Sequence, residues 1–171
     1  MRALYVGRFQ PFHLGHLEII KKILKEYSEL IILVGSAQYS HTLENPFTAG
    51  ERIQMITEAL EEEGISERVY IIPIDDIHRH AIWVYYVQSL TPPFDRVFSN
   101  EPVTIRLFEE AGYSVTETEL QNREEWSGTA IRRMMLNGEQ WEECVPKSVA
   151  TIIKKIDGEA RIRDLSKSDE K

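Results

Sequence analysis

Residues 3–16 read Ala-Leu-Tyr-Val-Gly-Arg-Phe-Gln-Pro-Phe-His-Leu-Gly-His. The four apolar residues predict a short buried strand, the glycine and the proline mark a turn, and a helix begins near Gly15. Because Gly7 and Gly15 carry no Cβ, the backbone at these positions can approach a bound group closely. The start of the helix directs free N–H groups and the positive end of its dipole at the turn. This strand–turn–helix unit therefore suits a triphosphate.

Three side chains in the same stretch have the chemistry to hold phosphate oxygens. His13 and His16 are hydrogen-bond donors one helical turn apart, and Arg8 adds a planar positive fork. An ordinary strand–turn–helix with two surface histidines is the alternative interpretation. The complete stretch favours the phosphate site, whereas one histidine taken alone would favour the alternative.

Length and composition limit the class of protein. A chain of 171 residues with 42% apolar residues fits one compact domain with a core. No apolar stretch approaches the roughly 20 residues that span a bilayer, and the first strand begins too early to leave room for a signal peptide. The single cysteine, Cys144, excludes a disulfide framework and indicates a reducing compartment, so we expect a cytoplasmic protein.

The distribution of charge is more informative than its sum. A net charge of −8 argues against a nucleic-acid or anionic-membrane partner. Four arginines nevertheless lie beside turns rich in glycine, serine and threonine, which predicts a locally basic cleft within an acidic shell. They are Arg8, Arg123, Arg132 and Arg133.

Strands and helices alternate outward from the first unit. Thr48 is an N-cap with Glu51 at the capping-box position, and the apolar run 30–34 is typical of a strand covered on both faces. This order predicts an α/β fold with a Rossmann-like open parallel sheet, helices on both faces and a C-terminal helical extension. We expect one domain over 1–165 and a charged, mobile tail over 166–171. The predicted strands are 3–6, 30–34, 69–73, 96–99 and 113–117. Two predicted helices begin near residue 15 and after residue 48. The other predicted helices cover 81–90, 103–111, 127–137 and 147–156, with a short helical piece around Trp141.

A second motif, Ser-Gly-Thr-Ala-Ile-Arg-Arg at 127–133, opens one of these helices. Ser127 is a good N-cap, which by itself is a sufficient structural reason for it. In the functional interpretation, the hydroxyls of Ser127 and Thr129 and the free N–H groups hold phosphate oxygens, and an arginine one turn further reaches a β- or γ-phosphate. The presence of both motifs favours the functional interpretation.

These residues resemble a known family. His-Leu-Gly-His at 13–16 resembles the His-x-Gly-His signature of the nucleotidyltransferase superfamily, and the wider string 7–16 is similar to the short archaeal-type nicotinamide-nucleotide adenylyltransferases. The second motif is similar to Ile-Ser-Ser-Thr-x-x-Arg, with Trp126 and Gly128 replacing Ile and the second Ser, so that Arg132 is the motif arginine. Residues 75–83 match the same family, and the resemblance runs from Arg2 to about Leu165. Where the family usually carries Asn three residues before its tryptophan, this chain has His80.

The resemblance implies the nucleotidyltransferase fold and adenylyl transfer from ATP to nicotinamide mononucleotide, giving NAD and pyrophosphate by direct in-line attack. It implies Mg²⁺ held mainly by ATP phosphates and water, without a protein metal site or a prosthetic group, and a homo-oligomer. The implied catalytic groups are Arg8, His13, His16 and Arg132; the implied ATP and phosphate contacts are Gly7, Phe9, Gln10, Gly15, Ser127, Gly128 and Thr129; the implied mononucleotide contacts are Ser36, Asp76, Ile77, His80 and Trp83.

Several alternatives remain open at this point. Trp83 either stacks on an electron-poor pyridinium ring or is a core tryptophan. His78 and His80 form a possible transition-metal pair, but no third ligand follows at a suitable spacing. A pantetheine-phosphate or flavin-mononucleotide adenylyltransferase is the nearest rival function, and a non-catalytic nucleotide sensor is the rival from another class. The sequence does not distinguish nicotinamide from nicotinate mononucleotide as acceptor.

Overall fold

The computed structural model describes residues 1–118 and 126–169, so Arg123 of the basic set lies outside the described residues. Within these ranges, five parallel strands form one sheet in the order β3-β2-β1-β4-β5. The strands are β1 Arg2–Gly7, β2 Glu29–Val34, β3 Val69–Pro73, β4 Arg96–Phe98 and β5 Val115–Thr116. The helices are α1 Leu14–Glu26, α2 Ala49–Glu62, α3 His80–Leu90, α4 Pro102–Glu110, α5 Gly128–Asn137, α6 Lys147–Lys155 and α7 Gly158–Asp169.

The central strands bury both faces of the sheet, as expected for a parallel sheet. Along β1, Ala3 and Tyr5 face one core cluster and Leu4 faces the other. Along β2 the same alternation places Leu30 in the first cluster and Ile31 in the second. The first cluster takes buried residues from α1, α2, α5, α6 and α7, and the second from α3 and α4. The predicted open parallel sheet with helices on both faces is therefore confirmed.

Two of the helix starts form as the sequence predicts. Thr48 caps α2, because its hydroxyl accepts from the Glu51 N–H and the Glu51 carboxylate accepts from the Thr48 N–H. Ser127 caps α5 by accepting from the Ala130 N–H at 3.1 Å. Both caps satisfy backbone donors that have no partner within their helix.

The C-terminal part differs from the prediction in one element. No helix was predicted between 157 and 165, but α7 begins at Gly158 and continues through residues 166–169, which the sequence assigned to the tail. Close packing explains its position, since a Cβ added to Gly158 would lie 2.9 Å from Ile153 and 3.0 Å from Phe47. Of the helix's apolar side chains only Ile162 is fully buried, so α7 lacks the apolar stripe that would have predicted it.

Two short 3₁₀ turns complete the described part of the chain, at Ser66–Arg68 and at Glu142–Cys144, the latter following the predicted helical piece around Trp141. Cys144 is buried. No helix of residues 1–118 and 126–169 combines the length and the apolar character needed to cross a membrane.

Candidate active site

A cleft of about 640 Å³ opens at the carboxyl ends of β1, β2 and β4. Open parallel sheets bind ligands at this edge, where the strand order reverses. Here the order reverses between β1 and β4, because β2 and β3 lie on one side of β1 and β4 and β5 lie on the other. The cleft is lined by eight of the residues that the sequence assigned to the site: Gly7, Arg8, His16, Ser36, Asp76, Ile77, His80 and Trp83.

His13 and His16 form a reciprocal cap at the start of α1. The His16 N–H donates to Nδ1 of His13 at 3.3 Å, and the His13 N–H donates to Nδ1 of His16 at 3.2 Å. The two rings are stacked, with centroids 3.5 Å apart. Since both Nδ1 atoms accept hydrogen bonds, each neutral ring carries its proton on Nε2. His16 lines the cleft, and its neutral ring carries its hydrogen on Nε2.

Burial keeps both rings uncharged. It lowers the pKa of His13 to about 3. The pKa of His16 is also well below its ordinary value, first because the ring is buried and then because His13 lies beside it. His13 is only 2% exposed and does not line the cleft, so its predicted contact with phosphate stays a prediction, and the structure shows it holding His16.

The side chains of Phe9 and Gln10 hold the turn after β1 through contacts within the protein. The Phe9 ring lies under Gly7, where an added Cβ would be 2.9 Å from Phe9 Cζ, and it meets the His16 ring edge-on. The Gln10 amide donates to the Phe47 carbonyl at 2.9 Å and accepts from the Phe47 N–H at 3.0 Å. The Phe9 ring thus packs within the protein, and the Gln10 side chain already has hydrogen-bond partners in Phe47. Any contact of Gln10 with ATP would therefore be made by its main chain.

The second motif adjoins the first, although it does not line the cleft. Nη1 of Arg132 donates to the Gln10 carbonyl at 2.7 Å, and Nη2 lies 3.4 Å from the Thr129 hydroxyl. A Cβ added to Gly128 would lie 3.0 Å from both the Gln10 oxygen and Arg132 Nη1, so a larger residue here would require these neighbours to shift by a few tenths of an ångström. The pKa of Arg132 is lowered, first by burial and then by Arg8.

A hydrogen-bonded network fixes the turn after β2 against the turn after β3. The Ser36 hydroxyl donates to Asp76 Oδ2 at 2.7 Å, and the Gln38 amide donates to the Asp76 carbonyl at 2.9 Å. Ser36 has φ of 51°, a left-handed conformation that serine rarely adopts and that neighbouring contacts must hold. The Asp76 carboxylate is therefore both a lining group and a brace for Ser36.

Trp83 lies between the cleft and the second core cluster, and its stacking on a pyridinium ring stays a prediction. It lines the cleft from α3, and its ring meets Phe108 edge-on at 5.6 Å, on the border of the second core cluster. His80 begins α3 and also lines the cleft. His78 hydrogen-bonds through Nε2 to the Tyr39 hydroxyl at 2.8 Å. No group of three or more His, Cys, Asp or Glu side chains able to hold a metal ion occurs among the described residues.

Two features of the site are absent from the predicted set of site residues. Glu101 and Asn100 line the cleft beside the start of α4, which Glu101 caps by accepting from the Thr104 N–H at 2.6 Å. Arg52, buried beneath the turns after β1 and β2, donates to four main-chain carbonyls. The Pro at 102, typical of a first helical turn, was a usable signal for the cap, but nothing in the sequence around Arg52 distinguishes it from a surface arginine.

Comparison with known proteins identifies the class first. Residues 4–134, which include both motifs, match the family model described as cytidylyltransferase-like. In structure, the chain is similar to a bifunctional NMN adenylyltransferase/ADP ribose pyrophosphatase from Francisella tularensis, complexed with AMP and a manganese ion, with a TM-score of 0.78 and 25% identity. The match covers 99% of this chain and 52% of that one, so this chain spans about half of the bifunctional protein. Fold and family model together define a nucleotidyltransferase.

Sequence relatives are more specific. The chain is 57% identical over 173 residues to the nicotinamide-nucleotide adenylyltransferase of Archaeoglobus fulgidus, covering 99% of both chains. It is 58% identical over 170 residues to the nicotinamide-nucleotide adenylyltransferase of Picrophilus torridus, covering 99% of this chain and 100% of the relative. The chain belongs to the family of the nicotinamide-nucleotide adenylyltransferases.

Proposed function

We propose that this protein transfers the adenylyl group of ATP to nicotinamide mononucleotide, giving NAD and pyrophosphate. Its relatives from Archaeoglobus fulgidus and Picrophilus torridus carry the name of this activity. The observation that carries the proposal is one cleft that joins two kinds of group. Phosphate-binding chemistry, Arg8 and His16, lies in the same cleft as an aromatic ring, Trp83.

The reaction requires positioning more than acid–base catalysis. The mononucleotide phosphate, whose second pKa is about 6, is largely ionised near neutral pH and needs no strong general base. Its oxygen attacks the α-phosphorus of ATP in line, and the bond from that phosphorus to the bridging oxygen of pyrophosphate breaks. The neutral Nε2–H of His16 donates to the α-phosphate oxygen on which charge develops.

The β- and γ-phosphates then lie between the two motifs. Arg8 and Arg132 supply the positive charge, with His13 and the hydroxyls of Ser127 and Thr129 completing the set. Main-chain N–H groups of the first turn and of the α5 start contribute donors, because free N–H groups at a helix start bind phosphate oxygens. The positions concerned are Gly7, Phe9, Gln10, Gly15 and Gly128.

The mononucleotide occupies the other half of the cleft. Trp83 stacks on the pyridinium ring, an attraction of roughly 0.5–2 kcal/mol. His80, Asp76 and Ile77 surround the amide and ribose, and Ser36 lies beside them through its hydrogen bond to Asp76. The imidazole of His80 supplies a donor or acceptor where the family usually has an amide.

Mg²⁺ accompanies ATP in this proposal. The Francisella tularensis structure contains AMP and a manganese ion. A hard divalent cation binds phosphate oxygens and water with few protein ligands, which suits a cleft with few carboxylates. We further propose a single domain over 1–165, a homo-oligomeric assembly and a cytoplasmic location.

One assay tests the function. Purified protein is incubated with ATP, Mg²⁺ and one acceptor at a time: nicotinamide mononucleotide, nicotinate mononucleotide, flavin mononucleotide or pantetheine phosphate. Dinucleotide and pyrophosphate are quantified together. Equimolar NAD and pyrophosphate with nicotinamide mononucleotide support the proposal. Turnover of flavin mononucleotide or pantetheine phosphate alone identifies a sister enzyme, and ATP binding without turnover identifies a sensor.

A further inference from the structure

Arg52 on α2 is a buried charge of an unusual kind. None of its surface is exposed, although arginine is almost never fully buried unless it is paired. No ion pair of Arg52 with a carboxylate occurs within residues 1–118 and 126–169. Instead, the guanidinium group donates to main-chain carbonyls. Nη1 reaches Arg8 at 2.8 Å and Gly35 at 2.7 Å, Nη2 reaches Ser36 at 3.1 Å, and Nε reaches Thr48 at 3.3 Å.

The carbonyls that Arg52 holds belong to the two turns that form the cleft. Arg8 follows β1, and Gly35 and Ser36 follow β2. Both turns contain a residue in the left-handed region, Phe9 at φ 54° and Ser36 at φ 51°. Such conformations persist only where surrounding contacts hold them. Arg52 is bonded to the carbonyl just before Phe9 and to the carbonyl of Ser36 itself, so one planar group joins both turns.

The charge of Arg52 adds to two others near the first turn. Burial first and the nearby charge of Arg8 second lower the pKa of Arg52 to about 10, against the opposing effect of the Asp76 carboxylate. Arg8 also lowers the pKa of Arg132. Arg8 therefore repels both of the other guanidinium groups beside the cleft. An anionic ligand between them would relieve the repulsion, which is what a polyphosphate provides.

We propose that Arg52 is a positioning residue for the polyphosphate half of the cleft. It locks the turn after β1 to the turn after β2 and thereby sets the side chains of Arg8 and Ser36, without itself touching substrate. The identification of the polyphosphate as that of ATP rests on the proposed function. The locking of the two turns does not.

Arg68, which is half-buried, is the control because it makes the same kind of bonds to main-chain carbonyls at the opposite end of the strands. Its guanidinium donates to the carbonyls of Leu24 at 2.8 Å, Tyr27 at 2.7 Å and Ser28 at 2.9 Å, where α1 ends and β2 begins. Replacing either arginine by lysine keeps the charge and removes the planar fork. A purely structural clamp would respond alike at both positions.

The experiment compares Arg52→Lys, Arg68→Lys and Arg52→Met with the wild type, each corrected for folded fraction. Calorimetry measures binding of inorganic tripolyphosphate, hydrogen exchange measures protection of amides 7–10 and 35–38, and steady-state kinetics gives KM for ATP and for the mononucleotide. We expect Arg52→Lys to weaken tripolyphosphate binding and to raise KM for ATP about tenfold or more. The reason is that displacing a binding group by only about 1 Å can greatly weaken the interactions that it makes. Exchange should accelerate in both turns, while KM for the mononucleotide changes less.

Arg68→Lys should alter none of these quantities more than about twofold, whatever its Tm. Identical behaviour of the two lysine variants would overturn the proposal and make Arg52 a structural clamp. Wild-type behaviour of Arg52→Lys, with binding lost only in Arg52→Met, would show that charge alone matters and would also overturn it. If Arg52→Met does not fold, the lysine pair decides.

The same data separate this proposal from the proposed function. A wild type that binds tripolyphosphate but forms no dinucleotide overturns the function and leaves the comparison at Arg52 decisive. A wild type that does not bind tripolyphosphate overturns the positioning role. A wild type that forms NAD while both lysine variants keep its KM for ATP overturns the role of Arg52 alone.

Discussion

The backbone N–H groups of His13 and His16 each donate to the imidazole Nδ1 of the other residue, at 3.2 and 3.3 Å. This exchange occupies the acceptor nitrogen of both rings and caps α1 at the same time. A proton on either Nδ1 would replace an acceptor by a donor facing a donor, and would break the cap. The cap and the neutral state of the histidines therefore depend on each other.

The first prediction concerns pH. The pKa of each histidine is lowered in the folded protein. As the pH falls below about 6.5, the ordinary pKa of histidine, these two residues therefore take up protons in the unfolded chain but not in the folded protein. The free energy of unfolding therefore keeps its full value above pH 6.5 and decreases as the pH falls from 6.5 toward the folded pKa. Below about pH 5.5, where the unfolded imidazole is almost fully protonated, each histidine contributes a slope of about 1.4 kcal/mol per pH unit. Urea unfolding from about pH 7 down to about pH 4.5 measures how that slope develops.

His16→Ala should reduce the slope by about one proton, since one of the two groups is gone. We expect no pH-dependent step in the wild-type kcat between pH 5.5 and 8 that is due to His16. Any step that the wild type shows in this range should also occur in the His16→Ala variant. A kcat that titrates near pH 6.5 through His16 would mean that the imidazolium is the reactive form, contrary to the cap geometry.

The second prediction concerns the chemical step. His16→Ala should lower kcat about 10²-fold or more, the loss expected when a donor to a transition-state oxygen is removed. The dissociation constant of ATP should change much less, because other groups hold the ground state. Rapid-quench turnover and calorimetry measure the two quantities separately. An equal loss in both, or no loss in either, would remove His16 from the mechanism.

The sheet and the turn after β1 were predictable because their signals are local. Apolar runs such as 30–34 reveal a doubly covered strand, and the Thr48–Glu51 pair reveals a helix start within four residues. Arg52 was not predictable, since its carbonyl partners at positions 8, 35 and 36 are 44, 17 and 16 residues away. The histidine tautomers likewise depend on backbone geometry that no spacing rule contains.

Helix α7 was missed for a related reason. Its position depends on a glycine contact and on one ion pair across 110 residues, Arg161 with Glu51, and not on an apolar stripe. Sequence periodicity reveals the apolar face of a helix, but it does not reveal an ion pair between residues that are distant in sequence, such as Arg161 and Glu51.

The third prediction tests that ion pair. Arg161 meets both oxygens of Glu51, at 2.7 and 2.8 Å, with side-chain exposures of 18% and 19%. Burial alone would raise the pKa of Glu51, but hydrogen bonds from Arg161 and from the Thr48 N–H outweigh it and lower the pKa. Arg161→Met should lower the free energy of unfolding at pH 7 by about 1.5–3 kcal/mol.

The pH dependence has a definite sign. A lowered carboxyl pKa contributes stability above its unfolded value, and that stability is lost as the pH falls through the folded pKa. The difference between Arg161→Met and wild type should therefore shrink below about pH 4. The exposed pair Arg106–Glu110 provides the control, and Arg106→Met should change the free energy of unfolding by less than about 0.5 kcal/mol. A deficit that is constant with pH would assign the effect to packing.

The fourth prediction separates the two roles of Trp83. Trp83→Ala should raise KM for the mononucleotide about 2- to 30-fold, the equivalent of a lost cation–π contact, with little change in kcat or in KM for ATP. Val87→Ala, one turn further along α3 in the same core cluster, is the packing control and should lower Tm alone. If Trp83→Ala instead lowers Tm and leaves the ratio of the two KM values unchanged, Trp83 is a core residue only.

The fifth prediction tests the second motif at Arg132. Its guanidinium donates through Nη1 to the Gln10 carbonyl at 2.7 Å, which places the remaining donors beside the first turn. Arg132→Lys keeps the charge but replaces the planar fork with a single ammonium group on a flexible stem. The expected loss is one charge-assisted hydrogen bond to the polyphosphate, about 1.5–3 kcal/mol, or roughly 10- to 150-fold in kcat/KM for ATP.

Arg133 is the neighbouring control, because it is exposed on the same helix and lies outside the motif. Arg133→Lys should change kcat/KM by less than about twofold, as expected for a surface substitution away from the site. Steady-state kinetics with ATP as the varied substrate compares the two variants directly. If they lose activity equally, the loss reflects general positive charge near α5. If Arg133 is the sensitive position, the second motif is misaligned by one residue, and the roles given to Ser127 and Thr129 fail with it.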